Sequence, residues 1–112
     1  MGLDLTVYPL KHYRSASGTP FLCDSLRLDR DGALFDAIER APSFAVPQVE
    51  VYEDDGLRVR GTNPYGEPVR YTLAGDLARV IADAANLSPW NVAVVAFLRA
   101  LPADLPVYLW WH

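Results

Sequence analysis

The sequence predicts an α+β fold. It has a mostly antiparallel sheet of four to five strands, including a central three-stranded meander, with two to three helices packed on one face. In the middle of the chain Asp54-Asp55-Gly56 separates two short segments rich in valine and alternating polar residues, the pattern of a hairpin. Further on, Ser88-Pro89 opens an apolar run of helical length. Strand-like segments stand at residues 3–10 and 107–111. Strands clustered in the middle, rather than alternating with helices, favour antiparallel pairing.

Residues 3–10 alternate, with Leu3, Leu5 and Val7 against Asp4, Thr6 and Tyr8, and end as a strand near Pro9. Residues 11–20 are polar and carry Ser15, Ser17, Gly18 and Pro20, as an exposed loop does. Residues 21–28 have poor periodicity and suit at most a short strand. Asp31 is placed to cap a helix over residues 32–40, with Leu34, Phe35 and Ile38 on one face. Pro42 and Pro47 bracket a non-helical connection.

Residues 48–53 and 57–62 form the hairpin, and two registers compete. A two-residue loop at Asp55-Gly56 pairs Val51 with Arg60 and Glu53 with Arg58. A three-residue loop pairs Val51 with Val59, Glu53 with Leu57, Glu50 with Arg60 and Tyr52 with Arg58. The second gathers Val49, Val51, Leu57 and Val59 on one face and is the expected register. Asn63-Pro64-Tyr65-Gly66 suits a type I turn, which leads into a third strand at residues 67–71. Thr72 is expected to cap a helix carrying Leu73, Leu77, Ile81 and Ala84, with Asn86 as its left-handed terminal residue. Ser88 caps the next helix, which is apolar almost all round from Val92 to Leu101 and so is expected to be buried on more than one side. Residues 107–111 read as a buried strand, and the sequence leaves open which strand it pairs with.

At 112 residues the chain fits one domain, residues 1–112, and can bury roughly 65% of its unfolded surface. The net charge of −4 argues against general nucleic-acid binding, which needs excess Lys and Arg. Cys23 is the only cysteine, so no internal disulfide forms. No signal peptide or membrane span is visible, and a cytoplasmic location is expected.

Catalytic motifs are scarce. Asp29 and Asp31 have the spacing of the first calcium ligands of an EF-hand, but Leu34 stands where its turn glycine belongs and Arg40 where its bidentate glutamate belongs. His12, His112 and Cys23 lack zinc spacing, and no phosphate loop or dinucleotide fingerprint occurs. Neither a metal nor a cofactor is expected. The expected ligand site lies on the polar face of the meander: Arg58, Arg60 and Arg70 for phosphate or carboxylate oxygens, with Tyr52 and Tyr65 to stack on a ring. Its plain alternative is a solvated sheet face with Arg60 neutralised by Glu50. Successive tryptophans on a strand must face opposite ways, so Trp110, Trp111 and neighbouring Tyr108 are the expected interface residues, with Trp90 also in the aromatic set.

The opening Met-Gly-Leu-Asp and the alternation up to Tyr8 resemble a set of small uncharacterised bacterial and phage proteins, which implies an accessory protein and carries over no site residue. The expected function is therefore a non-enzymatic binding module for a protein or a small anionic ligand, nucleotides included, self-associating as a homo-oligomer. Two rivals stand beside it: a small hydrolase using Cys23, His12 and a carboxylate such as Asp4 or Asp24, and a structural oligomer subunit.

Overall fold

A computed structural model describes residues 3–13 and 18–112, the side chains of residues 12 and 13 excepted. The first elements are four short strands, β1 (Leu5–Pro9), β2 (His12–Tyr13), β3 (Pro20–Leu22) and β4 (Leu26–Arg27), followed by helix α1 (Gly32–Arg40). Strands β5 (Phe44–Ala45), β6 (Val49–Glu53), β7 (Gly56–Arg60) and β8 (Arg70–Leu73) come next. Helices α2 (Ala74–Ala82) and α3 (Pro89–Ala100) and strand β9 (Pro106–Trp111) complete the order. The fold is α+β. Of the expected first loop, residues 14–17 lie outside the described part, as do Met1 and Gly2 of the opening motif.

Three layers result. The central layer is a five-stranded sheet, β4-β1-β9-β8-β5, antiparallel throughout. The first and last strands are neighbours in it, a pairing the sequence left open, with Leu5 opposite Trp111 and Val7 opposite Leu109. Alternation along β9 sends Val107, Leu109 and Trp111 to one face and Tyr108 and Trp110 to the other. The first set joins Leu5, Val7 and the helices in one core, including Leu34, Ile38, Leu77, Ile81, Val94 and Leu98. The second set meets a four-stranded sheet, β2-β3-β6-β7, through Leu10, Leu22, Val49, Val51 and Val69.

The expected meander is divided between these sheets. The β6–β7 hairpin belongs to the smaller sheet and β8 to the larger, and among the described residues their backbones pair at an isolated bridge between Thr62 and Pro68. The hairpin also takes neither of the two expected registers. Its loop is Asp54-Asp55, Glu53 pairs with Gly56, and Val51 and Val49 stand opposite Arg58 and Arg60. Gly56 has φ +118, which glycine alone adopts freely. Pairing valines with arginines is tolerable because β7 is an edge strand. The alkyl stems lie toward the valines while the guanidinium groups reach water.

Helix α1 begins where expected, with Leu34 N donating to Asp31 Oδ1 at 3.1 Å. Helix α3 is capped by Ser88, whose hydroxyl accepts from Asn91 N at 3.1 Å. Helix α2 differs. Thr72 lies buried in β8, and Leu73 at the cap position offers no side-chain hydrogen bond. The free amides are met instead by the loop before β9: Ala74 N donates to Leu105 O and Gly75 N to Ala103 O, both at 2.9 Å. A Cβ on Gly75 would stand 3.0 Å from that of Ala103, so the close approach of the loop requires glycine there. Asn86 takes its expected left-handed conformation, φ 59. Helix α3 buries a single face, Asn91, Val94, Val95 and Leu98, not several. Among the described residues no helix is long and apolar enough to cross a membrane.

Candidate functional site

The five expected ligand residues do not share a surface. Arg58 and Arg60 lie on the face of the hairpin that looks toward the central sheet, whereas Tyr52, opposite Leu57, lies on the other. Tyr52 is 63% exposed and meets Phe21 edge-to-face at 5.6 Å. Arg58 is tied to Asp55. Arg70, opposite Leu109, sits on the helix side of the central sheet. There its Nε donates to Ser43 Oγ at 2.6 Å and its Nη2 to Ser43 O at 2.8 Å.

The expected interface residues separate as well. Tyr108 is buried between the two sheets and Trp111 packs edge-to-face on Phe35 at 5.4 Å. Tyr108 is core, whereas Trp111 on the helix side and Trp110 on the other are each half-buried. Of the two, Trp110 stands at a polar surface.

That surface is the part of the central sheet's second face left open beyond the hairpin. Register places Asp4, Thr6, Arg27, Trp110 and His112 on it: Thr6 is opposite both Arg27 and Trp110, and Asp4 and His112 exchange backbone hydrogen bonds of 2.7 and 2.9 Å. Asp4 is its fixed point. Its side chain is only 9% exposed, yet it holds Arg27 at 2.7 Å and Arg30 through two contacts of 2.7 and 3.0 Å. The hydrogen bonds from Arg30 and Arg27 outweigh burial and hold the Asp4 carboxyl well below the usual carboxylate range. The same carboxylate raises the Arg30 pKa, and the Tyr65 phenol lies within electrostatic reach of that guanidinium.

Trp110 also lines a pocket of about 410 Å³, together with Glu53, Arg60, Thr62, Asn63 and Pro64. Arg60 forks onto Glu53, Nε donating at 2.7 Å and Nη2 at 2.5 Å, which lowers the Glu53 pKa. Its partner is thus Glu53, not the expected Glu50. The pocket wall is rigid: Asn63 Oδ1 accepts from Tyr65 N at 2.9 Å and Glu67 N at 3.1 Å. Gly66 N donates to Asn63 O at 2.9 Å, closing the expected turn. Trp110 therefore shares a sheet face with Arg27 by register and a pocket with Arg60 and Glu53.

Within the cluster two arginines share one aspartate, while Arg60 and Glu53 pair with each other. Burial lowers the His112 pKa, with Asp4 opposing and Arg27 adding to the effect. The guanidinium side chains of Arg27 and Arg30 remain 60% and 61% exposed, so both are positioned from below and open from above. Arg27, Arg30 and His112 were not legible as partners in the sequence, because only the β1–β9 and β1–β4 pairings bring them together.

Thr6 Oγ1 and His112 Nε2 share a hydrogen bond of 2.8 Å, which has the look of a nucleophile and base. The third member fails, since the Asp4 carboxylate is engaged by arginines and not by the imidazole. Cys23 Sγ donates to Asp24 Oδ2 at 3.7 Å, while the side chain of His12 lies outside the described residues. Asp31 caps α1 and Asp29 accepts from the Ser88 hydroxyl at 2.8 Å. Among the described residues no group of three or more His, Cys, Asp or Glu could hold a metal ion. Compared with known proteins, the chain matches no family model, no curated protein and no solved structure.

Proposed function

We propose that the chain is a non-enzymatic binding protein for a small anionic ligand carrying a flat ring, of which a nucleotide is the simplest form. The supporting observation is the Asp4–Arg27–Arg30 cluster beside Trp110. A largely buried carboxylate fixes two exposed guanidinium groups in place, so little side-chain freedom is lost when an anion arrives. Their combined excess of one positive charge stands out in a chain of net charge −4. The phosphates sit on Arg27 and Arg30 and the ring sits against Trp110, which also lines, with Arg60 and Glu53, a pocket of about 410 Å³ in the size range of small-molecule sites. Tyr65 closes the rim beside Arg30.

Calorimetric titration with adenosine and guanosine mono- and triphosphates, with inorganic phosphate alongside, tests this reading. The natural chain is expected to bind at least one nucleotide more tightly than phosphate. Trp110→Ala removes that preference for a ring. The triple variant Asp4→Asn, Arg27→Gln and Arg30→Gln neutralises the cluster without leaving a buried charge unpaired, and abolishes binding. A chain that binds no nucleotide at millimolar concentration, or a folded triple variant that binds as before, sinks the proposal.

A further inference from the structure

The outward face of α3 carries almost no charge. Its buried residues recur at Asn91, Val94, Val95 and Leu98. The opposite side of the helix carries Trp90, Val92, Ala93, Ala96, Phe97 and Ala100, with Arg99 at one margin. Trp90 is 49%, Val92 52% and Phe97 44% exposed. The Trp90 ring is also fixed, since its Nε1 donates to Arg27 O at 2.6 Å. Where Phe97 ends, an apolar groove of about 430 Å³ continues the face, lined by Pro9, Leu26, Phe97, Leu101 and Leu105, with Lys11 and Asp24 at its rim.

We infer that this face binds a second copy of the chain, the two α3 helices lying antiparallel about a twofold axis at the level of Val95. The face is complementary to itself in that register and bulky residues fall opposite small ones. Trp90 meets Ala100 of the other copy and Phe97 meets Ala93, in both directions. The alanines let the helix axes approach to about 8 Å, and each Trp90 then reaches the groove beyond Phe97 and Leu101 of its neighbour. Antiparallel helices also place opposite dipole ends together. Trp90 and Phe97, each about half exposed, leave about 200 Å² open. The valine, the alanines and the groove bring the face to roughly 500 Å² per copy, the lower limit for a specific interface of about 1,000 Å² in total. A dimer of that size dissociates on dilution. Trp90 meets Arg27 at its backbone carbonyl, and α3 lies on the helix side of the central sheet while Trp110 and the Arg27 side chain lie on the other, so the two proposals stand or fall independently.

Sedimentation equilibrium from about 1 µM to about 1 mM tests the inference. The natural chain is expected to move from monomer to dimer over that range. Ala96→Glu, exposed and compatible with helix, keeps its circular dichroism and melting temperature but raises the dissociation constant at least about 100-fold, because like charges then meet at the axis. In a Cys23→Ser background, Ala96→Cys forms an intermolecular disulfide, its two copies lying about 3 Å apart along the axis. Ala100→Cys, about 15 Å from its copy, does not. A natural chain that is monomeric throughout overturns the inference and leaves the face to a different protein. So does an Ala96→Glu variant that dimerises normally, or an Ala100→Cys variant that cross-links.

Discussion

The two faces of the central sheet are covered differently. On the helix side Leu5, Val7, Val107, Leu109 and Trp111 lie under α1, α2 and α3, in a core continuous along the strands. On the other side Tyr8, Tyr108 and Val69 pack against the smaller sheet, whereas Trp110 and His112 near the end of the strand are half-buried. The same strand, β9, thus supplies Val107, Leu109 and Trp111 to the helix face and Tyr108 and Trp110 to the half-open one. A strand buried on both sides has no reason to keep arginines, a histidine and a paired aspartate near its end. One left partly open can carry them at small cost, and this is where the candidate site lies.

Stability measurements can break or sharpen that contrast. Leu98→Ala, with Leu98 fully buried under the central sheet, should cost about 2–5 kcal/mol in urea denaturation. Val51→Ala, on the hairpin side, should cost less, about 1–2 kcal/mol. Equal losses would mean that both faces are closed alike.

Asp4→Asn addresses the open end. The folded Asp4 carboxyl titrates below its ordinary value of 3.8, so its contribution is present above that pH and is lost as pH falls below it. The variant should therefore be less stable than the natural chain at pH 7, and the gap should close below about pH 3.8. A constant gap across that range would show that the arginines do not depend on the charge.

The smallest effect belongs to His112. Its folded pKa lies below the ordinary 6.5, so the unfolded chain binds the proton first and stability declines as pH falls through 6.5. His112→Gln should flatten the stability curve between pH 7 and pH 5. An unchanged slope would remove His112 from the account.

Much of the fold was legible because local chemistry decides it. Asp31 and Ser88 mark helix starts by their side-chain oxygens, and Asn63-Pro64-Tyr65-Gly66 marks its turn by backbone preference. The hairpin register was not legible for a specific reason. Matching valine with valine presumes that both strands are equally enclosed, whereas β7 is an edge where an inward arginine still reaches water. Thr72 was misread as a cap because the amides of α2 are satisfied by carbonyls of residues 103 and 105, about thirty positions away. The sidedness of α3 escaped for the opposite reason: apolar composition tells how much a helix can bury, not how many neighbours it has. Of the candidate site, Arg60, Tyr65 and Trp110 were named from residue type alone. Arg27, Arg30 and His112 depend on strands β1, β4 and β9 meeting, which no local pattern encodes.

The pairing of β1 with β9 also governs how the chain reaches its structure. Strand β9 is the middle of the central sheet, and both β1 and β8 hydrogen-bond to it and not to each other. Everything up to Leu105 is therefore a set of parts whose shared seam is still missing. Local helices and the hairpin can form early, but the sheet closes only across a span of some hundred residues, and such long-range closure slows folding. A nascent chain halted before β9 would expose the bonding edges of both β1 and β8, leaving it open to unwanted strand pairing until β9 arrives.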